Sequence, residues 1–412
     1  EGMEDKKLTK LEKYWVLYDV GNSAFVMLVS AILPLYFASL AEGAGLSEVD
    51  YLAYWGYAIS VSTIITAVGG PILGAIADTK NFKKKLFAAS VLLGTAFCAM
   101  LCIPKMWAAF LVLFILSKAC HNASLVFYDS MLTDVTTQER FDRVSANGYA
   151  WGYIGSCVPF LISIILILGH DRLGIPMTAA MACVFFLNAA WWIGMSVPIF
   201  CAYRQKYYVD MPGHPVRESG KRLFHTLSEV GKQKKVFLFL LSFFFFIDGV
   251  YTVIDMAAVY GSAVGLDSSG LLLALLLTQI VAFPCALVFS RFSEKYKTET
   301  LLRVCIIAYF FIALFAIQMD QQWKFWLLAV LVGMFMGAIQ ALSRSYFAKI
   351  IPVEKSGEYF GIYDICGKGA SFMGTILVGV IAQITGRTSC GVGAIAVMFL
   401  IGYMIFDKAE KA

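Results

Sequence analysis

Twelve apolar runs divide the chain, beginning near residues 14, 53, 86, 107, 147, 178, 236, 269, 301, 324, 361 and 389. A helix that crosses a bilayer needs roughly 20 predominantly apolar residues, and each run supplies about that many. Inside lipid only helices and closed barrels satisfy every backbone N–H and C=O, and runs this continuous lack the alternation of barrel strands. The expected fold is therefore an all-α membrane protein with twelve transmembrane helices. At 59% hydrophobic and 15% charged residues, the composition lies far from that of a soluble domain. The first run is too long for a cleavable signal peptide and carries Tyr18, Asp19 and Asn22.

Charge placement sets the expected orientation. Most of the 33 Lys and Arg lie before the first run, in alternate loops and at the end of the chain; the remaining loops hold only Lys105, Arg172, Lys324 and Arg387. Under the positive-inside rule both termini are cytoplasmic. The basic residues then read as topology signals and lipid-surface contacts, with no nucleic-acid partner implied. Ten cysteines are scattered mostly singly through apolar runs, without metal-ligand spacing, so they read as small core residues and neither metal nor cofactor is expected. Trp15, Trp55, Trp107 and Trp323 sit near run ends, where interfacial tryptophans belong.

One long polar segment, 202–235, separates six runs from six and holds Pro212, Gly213, Pro215 and Gly220. The expected units are residues 1–201, a basic cytoplasmic linker 202–235, and residues 236–412. Within the linker, 220–235 reads as an amphipathic surface helix. The two long units echo each other. Gly74 and Asp78, followed by Lys80, Lys83, Lys84 and Lys85, are matched by Ser290 and Glu294, followed by Lys295 and Lys297. Gln138-Glu139-Arg140 is matched by Val353-Glu354-Lys355 at nearly the same offset, and Gly152 then falls on Gly367. A small residue and an acid one turn apart share a helix face, which suits a close crossing with a charged clasp. Gly74, Asp78, Lys83, Lys84, Glu139, Arg140, Glu294 and Glu354 are accordingly expected to form a cytoplasmic conformational latch.

Duplicated six-span halves of this kind resemble the major facilitator superfamily, whose signature between its second and third helices the Gly74–Lys85 segment is similar to, with Asn81 and lysines in place of the usual turn glycine and arginine. A narrower resemblance rests on three segments. They are Tyr18-Asp19-Val20-Gly21-Asn22-Ser23, Phe127-Tyr128-Asp129-Ser130, and the stretch from Glu354 to Asp364. These look like the vacuole-effluxer-like branch, which includes fungal vacuolar amino-acid effluxers linked to autophagy and many bacterial members. The resemblance implies two pseudo-symmetric six-helix halves, a bacterial plasma-membrane location and export of amino acids.

Ionisable groups inside a bilayer are costly and ask for a pathway or a partner. Asp19 and Asn22 lie one turn apart in the first run. In the fourth, Lys118, Asn122 and Asp129 fall within about 40° of one another around a helix, with His121 beside them. Asp248, Tyr251, Thr252 and Asp255 form a stripe in the seventh, and Asp364 and Lys368 an i, i+4 pair in the eleventh. Asp19, Asn22, Lys118, Asn122, Asp248, Tyr251 and Asp255 are the candidate substrate-binding residues. Asp19, Asp129, Asp248, Asp255 and His121 are candidates for proton coupling, and Asp364 with Lys368 reads as a structural ion pair. No nucleophile or metal motif accompanies them, so an enzyme is not expected. The expectation is a monomeric secondary transporter working by alternating access on a small zwitterion, most plausibly a neutral amino acid, with protons as coupling ion. An exporter of amphipathic or lipid-like compounds and a non-transporting membrane sensor are the alternatives.

Overall fold

A computed structural model describes residues 7–210, 215–255, 261, 265–386 and 388–412. Its regular structure is helical apart from one isolated bridge between Thr79 and Val209. The first six long helices are α1 (Lys10–Gly43), α2 (Glu48–Ala77), α3 (Phe82–Met100), α4 (Trp107–Ser130), α5 (Phe141–Gly169) and α6 (Met177–Ala202). A shorter amphipathic helix, α7 (Pro215–Lys232), leads to α8 (Lys234–Asp255), α9 (Ser268–Phe292), α10 (Thr298–Ala316), α11 (Gln322–Ile350), α12 (Ser356–Thr385) and α13 (Thr388–Glu410). Among the described residues, ten helices are long and apolar enough to cross a membrane. The other two long ones are α3, whose first turn carries three lysines, and α12, which packs along α2 and α8.

The ends of these helices follow local chemistry. Thr9 caps α1 and forms a reciprocal capping box with Glu12, satisfying two backbone donors. The turn after α2 places Asn81 in the left-handed region at φ 65°, a conformation that asparagine tolerates better than most residues. It thus takes over the role of the missing glycine. Part-way along α1, Leu28–Ile32 form a π-helical turn, one residue wider than the helix on either side.

Several helices outrun their apolar stretches at the end where α1 begins and α13 finishes, which we call the terminal face. Helix α5 starts at Phe141 rather than near 147, and α11 runs on to Ile350. The reason is polar pairing: Asp142 accepts from Thr298, Ser345 and Lys349, which keeps these turns helical beyond the apolar segment. The first six helices and the last six meet along two seams at this face, α2 with α12, and α5 with α9 and α11. Elsewhere the exterior is apolar, with Ile64, Val68, Leu93, Ile165 and Phe311 exposed, a surface that is stable in lipid and untenable in water. Fold and hydropathy together make this a multi-pass integral membrane protein.

Candidate functional site

Between the two sets of helices lies a cavity of about 380 Å3, within the usual size range for a small-molecule site. Its charged lining consists of Asp19 (α1), Asp129 (α4), Arg344 (α11), and Asp364 and Lys368 (α12). Among the described lining residues, three carboxylates thus face two cations. The remaining wall combines polar Asn22, Ser23, Tyr251, Gln279 and Gln340 with apolar Phe243, Ile247, Leu275 and Met336.

Arg344 closes the cavity toward the terminal face. Its Nη1 donates to Asp129 at 3.0 Å and its Nη2 reaches Asp19 at 3.4 Å, while Nε and Nη2 also donate to the side chain and backbone carbonyl of Ser145. The planar guanidinium lies 4.7 Å from the Trp15 ring centroid and 4.4 Å from that of Tyr149, a stacked, bidentate arrangement that lysine could not reproduce. The Asp19 oxygen that faces Arg344 also accepts from the Tyr128 hydroxyl at 2.9 Å, and its other oxygen accepts from Asn22 at 3.2 Å. Trp15 is fully buried, stacked on Tyr128 and donating to the Tyr128 carbonyl, so it belongs to this floor and not to an interfacial belt.

Beneath the floor, the residues around Gly74 pack against α12 across the α2–α12 seam. A Cβ at Gly74 would stand 2.1 Å from the Gly357 carbonyl oxygen, so no larger residue permits this crossing. Asp78 accepts from the backbone N–H groups of Gly357 and Glu358, both at 2.8 Å. Lys83 is wholly buried, donates to Ser356 at 2.8 Å and lies 3.5 Å from Asp78 and 3.7 Å from Asp134. Burial pushes the Asp78 carboxyl up to about 6, against the pull of Lys83 and the two amides. Asp134 in turn accepts from Tyr203 at 2.5 Å, whose phenol burial and this carboxylate hold well above its usual range, so that it remains a donor.

The polar connector contributes more than the sequence suggests. Val209 donates to the Asp78 carbonyl. From α7, Arg222 donates to Glu358 on α12 at 3.1 Å and to the Ala75 carbonyl on α2 at 2.6 Å, strapping the seam from outside. Of the other latch candidates, Lys84 is half-buried beside Lys83, and Glu294 pairs with Arg143 at 3.5 Å across the second seam. Arg140 instead holds Glu12 of α1 at 2.7 Å, within the first set of helices. Glu139 and Glu354 are exposed, each in the short turn before a long helix.

The candidate ligand residues divide. Asp19, Asn22, Tyr251 and Asp129 line the cavity. Asn122, Asp248, His121 and Lys118 are outside its lining. Asn122 reaches Thr66 on α2 at 3.4 Å, and buried Asp248 accepts from the Gly374 amide at 2.9 Å, pinning α8 to α12. His121 is buried between the rings of Phe25 and Trp192, away from water that could exchange its proton. Asp255 ends α8 and its side chain lies outside the described ones. Arg344, by contrast, was hidden among the basic residues around the tenth loop; its position inside an apolar stretch that continues through Phe347 to Ile351 is the signal that marks it. The Asp364–Lys368 pair forms at 2.6 Å, in the cavity wall.

Comparison with known proteins gives a consistent picture. The family model for vacuole effluxer Atg22-like proteins matches residues 9–138 and 132–408. The chain is 43% identical over 405 residues to the protein described as uncharacterized MFS-type transporter YxiO of Bacillus subtilis (strain 168), covering 97% of this chain and 95% of that protein. It is 22% identical over 474 residues to autophagy-related protein 22-1 of Penicillium rubens, covering 89% and 78% of the two. Among solved structures, the human organic anion transporter MFSD10 superposes with a TM-score of 0.75 at 11% identity over 96% of this chain and 99% of the other. The major facilitator superfamily transporter FucP in its outward conformation superposes at 0.72 and 13% identity, covering 97% of each chain. The fold is that of the major facilitator superfamily.

Proposed function

The chain belongs to the vacuole effluxer Atg22-like family of transporters, and from that premise we propose that it exports a small zwitterionic metabolite, a neutral amino acid, by proton-coupled alternating access. Twelve helices cross the bacterial plasma membrane as two six-helix halves, 1–201 and 236–412, joined by a basic linker, 202–235. The terminal face is cytoplasmic in this reading, which the lysine and arginine distribution supports. The latch and Arg344 then seal the cytoplasmic side and leave the cavity to the outside.

The observation that carries this reading is the floor clamp. Arg344 of the second half holds Asp19 and Asp129 of the first at 3.4 and 3.0 Å, in a site only 2% exposed at the arginine. Opening the cytoplasmic side separates the cation from both acids. A carboxylate stripped of its buried cation must take up a proton, a substrate ammonium or water. Proton uptake at Asp19 or Asp129 is therefore coupled to the same movement that exposes the cavity, which is the requirement for a coupled carrier. Three carboxylates against two cations among the described lining residues support room for one exchangeable proton. Asn122 and Asp248 brace helices, and Tyr251 and Asn22 orient the ligand.

Protein reconstituted in liposomes tests the reading directly. An imposed pH gradient should drive accumulation of a labelled neutral amino acid, and Asp19→Asn and Asp129→Asn should each abolish the gradient's effect while leaving downhill exchange measurable. Gradient-driven accumulation unchanged in both variants would sink the coupling assignment, and no flux of any amino acid by the parent protein would sink the cargo assignment.

A further inference from the structure

Resting on the amino-acid reading above, we infer that Gln279 of α9 reads the side chain of the substrate and selects an uncharged carboxamide, the side chain of glutamine. Gln279 is 9% exposed and lines the cavity one turn from Leu275, whereas its neighbour Ile280 is 46% exposed and outside the lining. Among the described residues, no group exchanges a hydrogen bond with the Gln279 amide. Its N–H groups and its carbonyl are therefore all open to a ligand. A second amide stands on α11. The Gln340 nitrogen donates to the Tyr153 hydroxyl at 3.1 Å and to the Met336 carbonyl at 3.2 Å, which spends both its hydrogens and leaves its carbonyl an acceptor. The hydrogen of the Tyr153 hydroxyl stays a donor. Two glycines of α11 bring these groups together: a Cβ at Gly333 would stand 2.8 Å from the Thr278 carbonyl, and one at Gly337 3.0 Å from the Tyr153 ring. About three helical turns separate Gly333 from Arg344, so Gln279, next to Thr278, is well removed from the charged floor.

Water serves such an amide while the cavity is open. A ligand that displaces the water must replace its hydrogen bonds or leave a buried polar group unmatched, which lowers affinity about tenfold or more. The side chain of methionine fills the space and offers nothing to Gln279. A carboxamide returns what Gln279 presents, a carbonyl for its N–H and an N–H for its carbonyl, and it matches the Gln340 carbonyl and the Tyr153 hydroxyl in the same way. Glutamate has the same shape, but its side chain has no hydrogen to give to either glutamine carbonyl. It also adds a negative charge where, among the described lining residues, three carboxylates already oppose two cations. The extended side chain of glutamine holds its amide apart from its charged ends, as the separation between Gln279 and the floor requires.

The test uses the full-length protein in detergent and in liposomes, with L-glutamine, L-methionine and L-glutamate as probes of similar length. The parent should bind and transport L-glutamine in preference to either of the others by about tenfold or more. Gln279→Met keeps the length of the side chain and removes its amide. It should retain the parent's melting temperature, lose the preference for L-glutamine over L-methionine, and bind L-methionine no more weakly than the parent does. The ratio of the two affinities is the deciding readout, because a general loosening of the cavity weakens both ligands together. A Gln279→Met protein with the parent's ratio would overturn the assignment. Equal affinity of the parent for L-glutamine and L-methionine would also overturn it, a measurement that needs no variant to fold. A parent that moves no amino acid defeats the cargo reading and this inference with it, whereas one that moves amino acids without favouring L-glutamine defeats this inference alone.

Discussion

Arg344 donates to Asp129 at 3.0 Å, joining a helix near the end of the chain to one in its first third at a guanidinium only 2% exposed. Removing one member of such a buried set leaves the others uncompensated, at a cost of about 3–5 kcal/mol. Arg344→Gln should abolish coupled transport and lower the melting temperature. Adding Asp19→Asn to it should recover part of the lost stability, because fewer charges are then stranded. A double-mutant cycle on detergent-purified protein measures this, and strictly additive losses would contradict a shared cluster.

The two echoes of the repeated motif should differ in weight. Asp78 is wholly buried and accepts two backbone amides, whereas Glu294 is 42% exposed and meets Arg143 at 3.5 Å. Asp78→Asn turns one acceptor into a donor facing an amide, a loss of about 1–3 kcal/mol at the seam. Transport should fall several-fold in Asp78→Asn and stay near that of the parent in Glu294→Gln. Initial rates in liposomes decide, and equal effects would mean that the seam is not asymmetric.

Gly74 makes a steric prediction independent of charge. A methyl group there would overlap the Gly357 carbonyl, so Gly74→Ala should force α2 away from α12. Cysteines introduced into the cavity wall should then become reachable from the cytoplasmic side, as alkylation by a membrane-impermeant maleimide from that side would report.

The raised carboxyl of Asp78 gives a pH signature. Its value in the closed seam is about 6 against an ordinary 3.8, so protons bind the closed state more tightly than a water-exposed one. That contribution is fully present below about pH 4 and is lost as the pH rises through about 6. Acidifying the cytoplasmic side from pH 7.5 to 5.5 should increase the closed population, read by the same alkylation assay. Asp78→Asn should remove this dependence; a persistent or inverted response would refute it.

Helical patterning decides how much of this arrangement is legible in the sequence. Runs of apolar residues specify helices, and an acid inside one asks for a pathway or a partner, so Asp19, Asn22, Asp129 and Tyr251, which line the cavity, are legible as candidates. Periodicity gives the angle between side chains on one helix but not the direction in which the helix is turned. Asp248 therefore reads as a cavity residue, although it faces the Gly374 amide of α12, and of the stripe that Lys118, Asn122 and Asp129 share, only Asp129 is in the cavity's described lining. Arg344 escaped because proximity to a helix end makes a buried cation look like a loop base. Arg222 escaped because an amphipathic helix in a connector reads as a surface element, while its contacts to α2 and α12 depend on tertiary placement.

Among the described lining residues of the cavity, the surplus of one carboxylate makes membrane voltage a participant in the proposed cycle. An empty cavity bearing one negative charge is drawn toward the outside of a cell whose interior is negative, which in an exporter opposes its return to the cytoplasmic side, whereas the same cavity holding a proton and a zwitterion is electrically neutral. Voltage then acts on the return of the unloaded carrier, by some fraction of the ~2.3 kcal/mol that a full charge gains per 100 mV, and leaves the loaded step untouched.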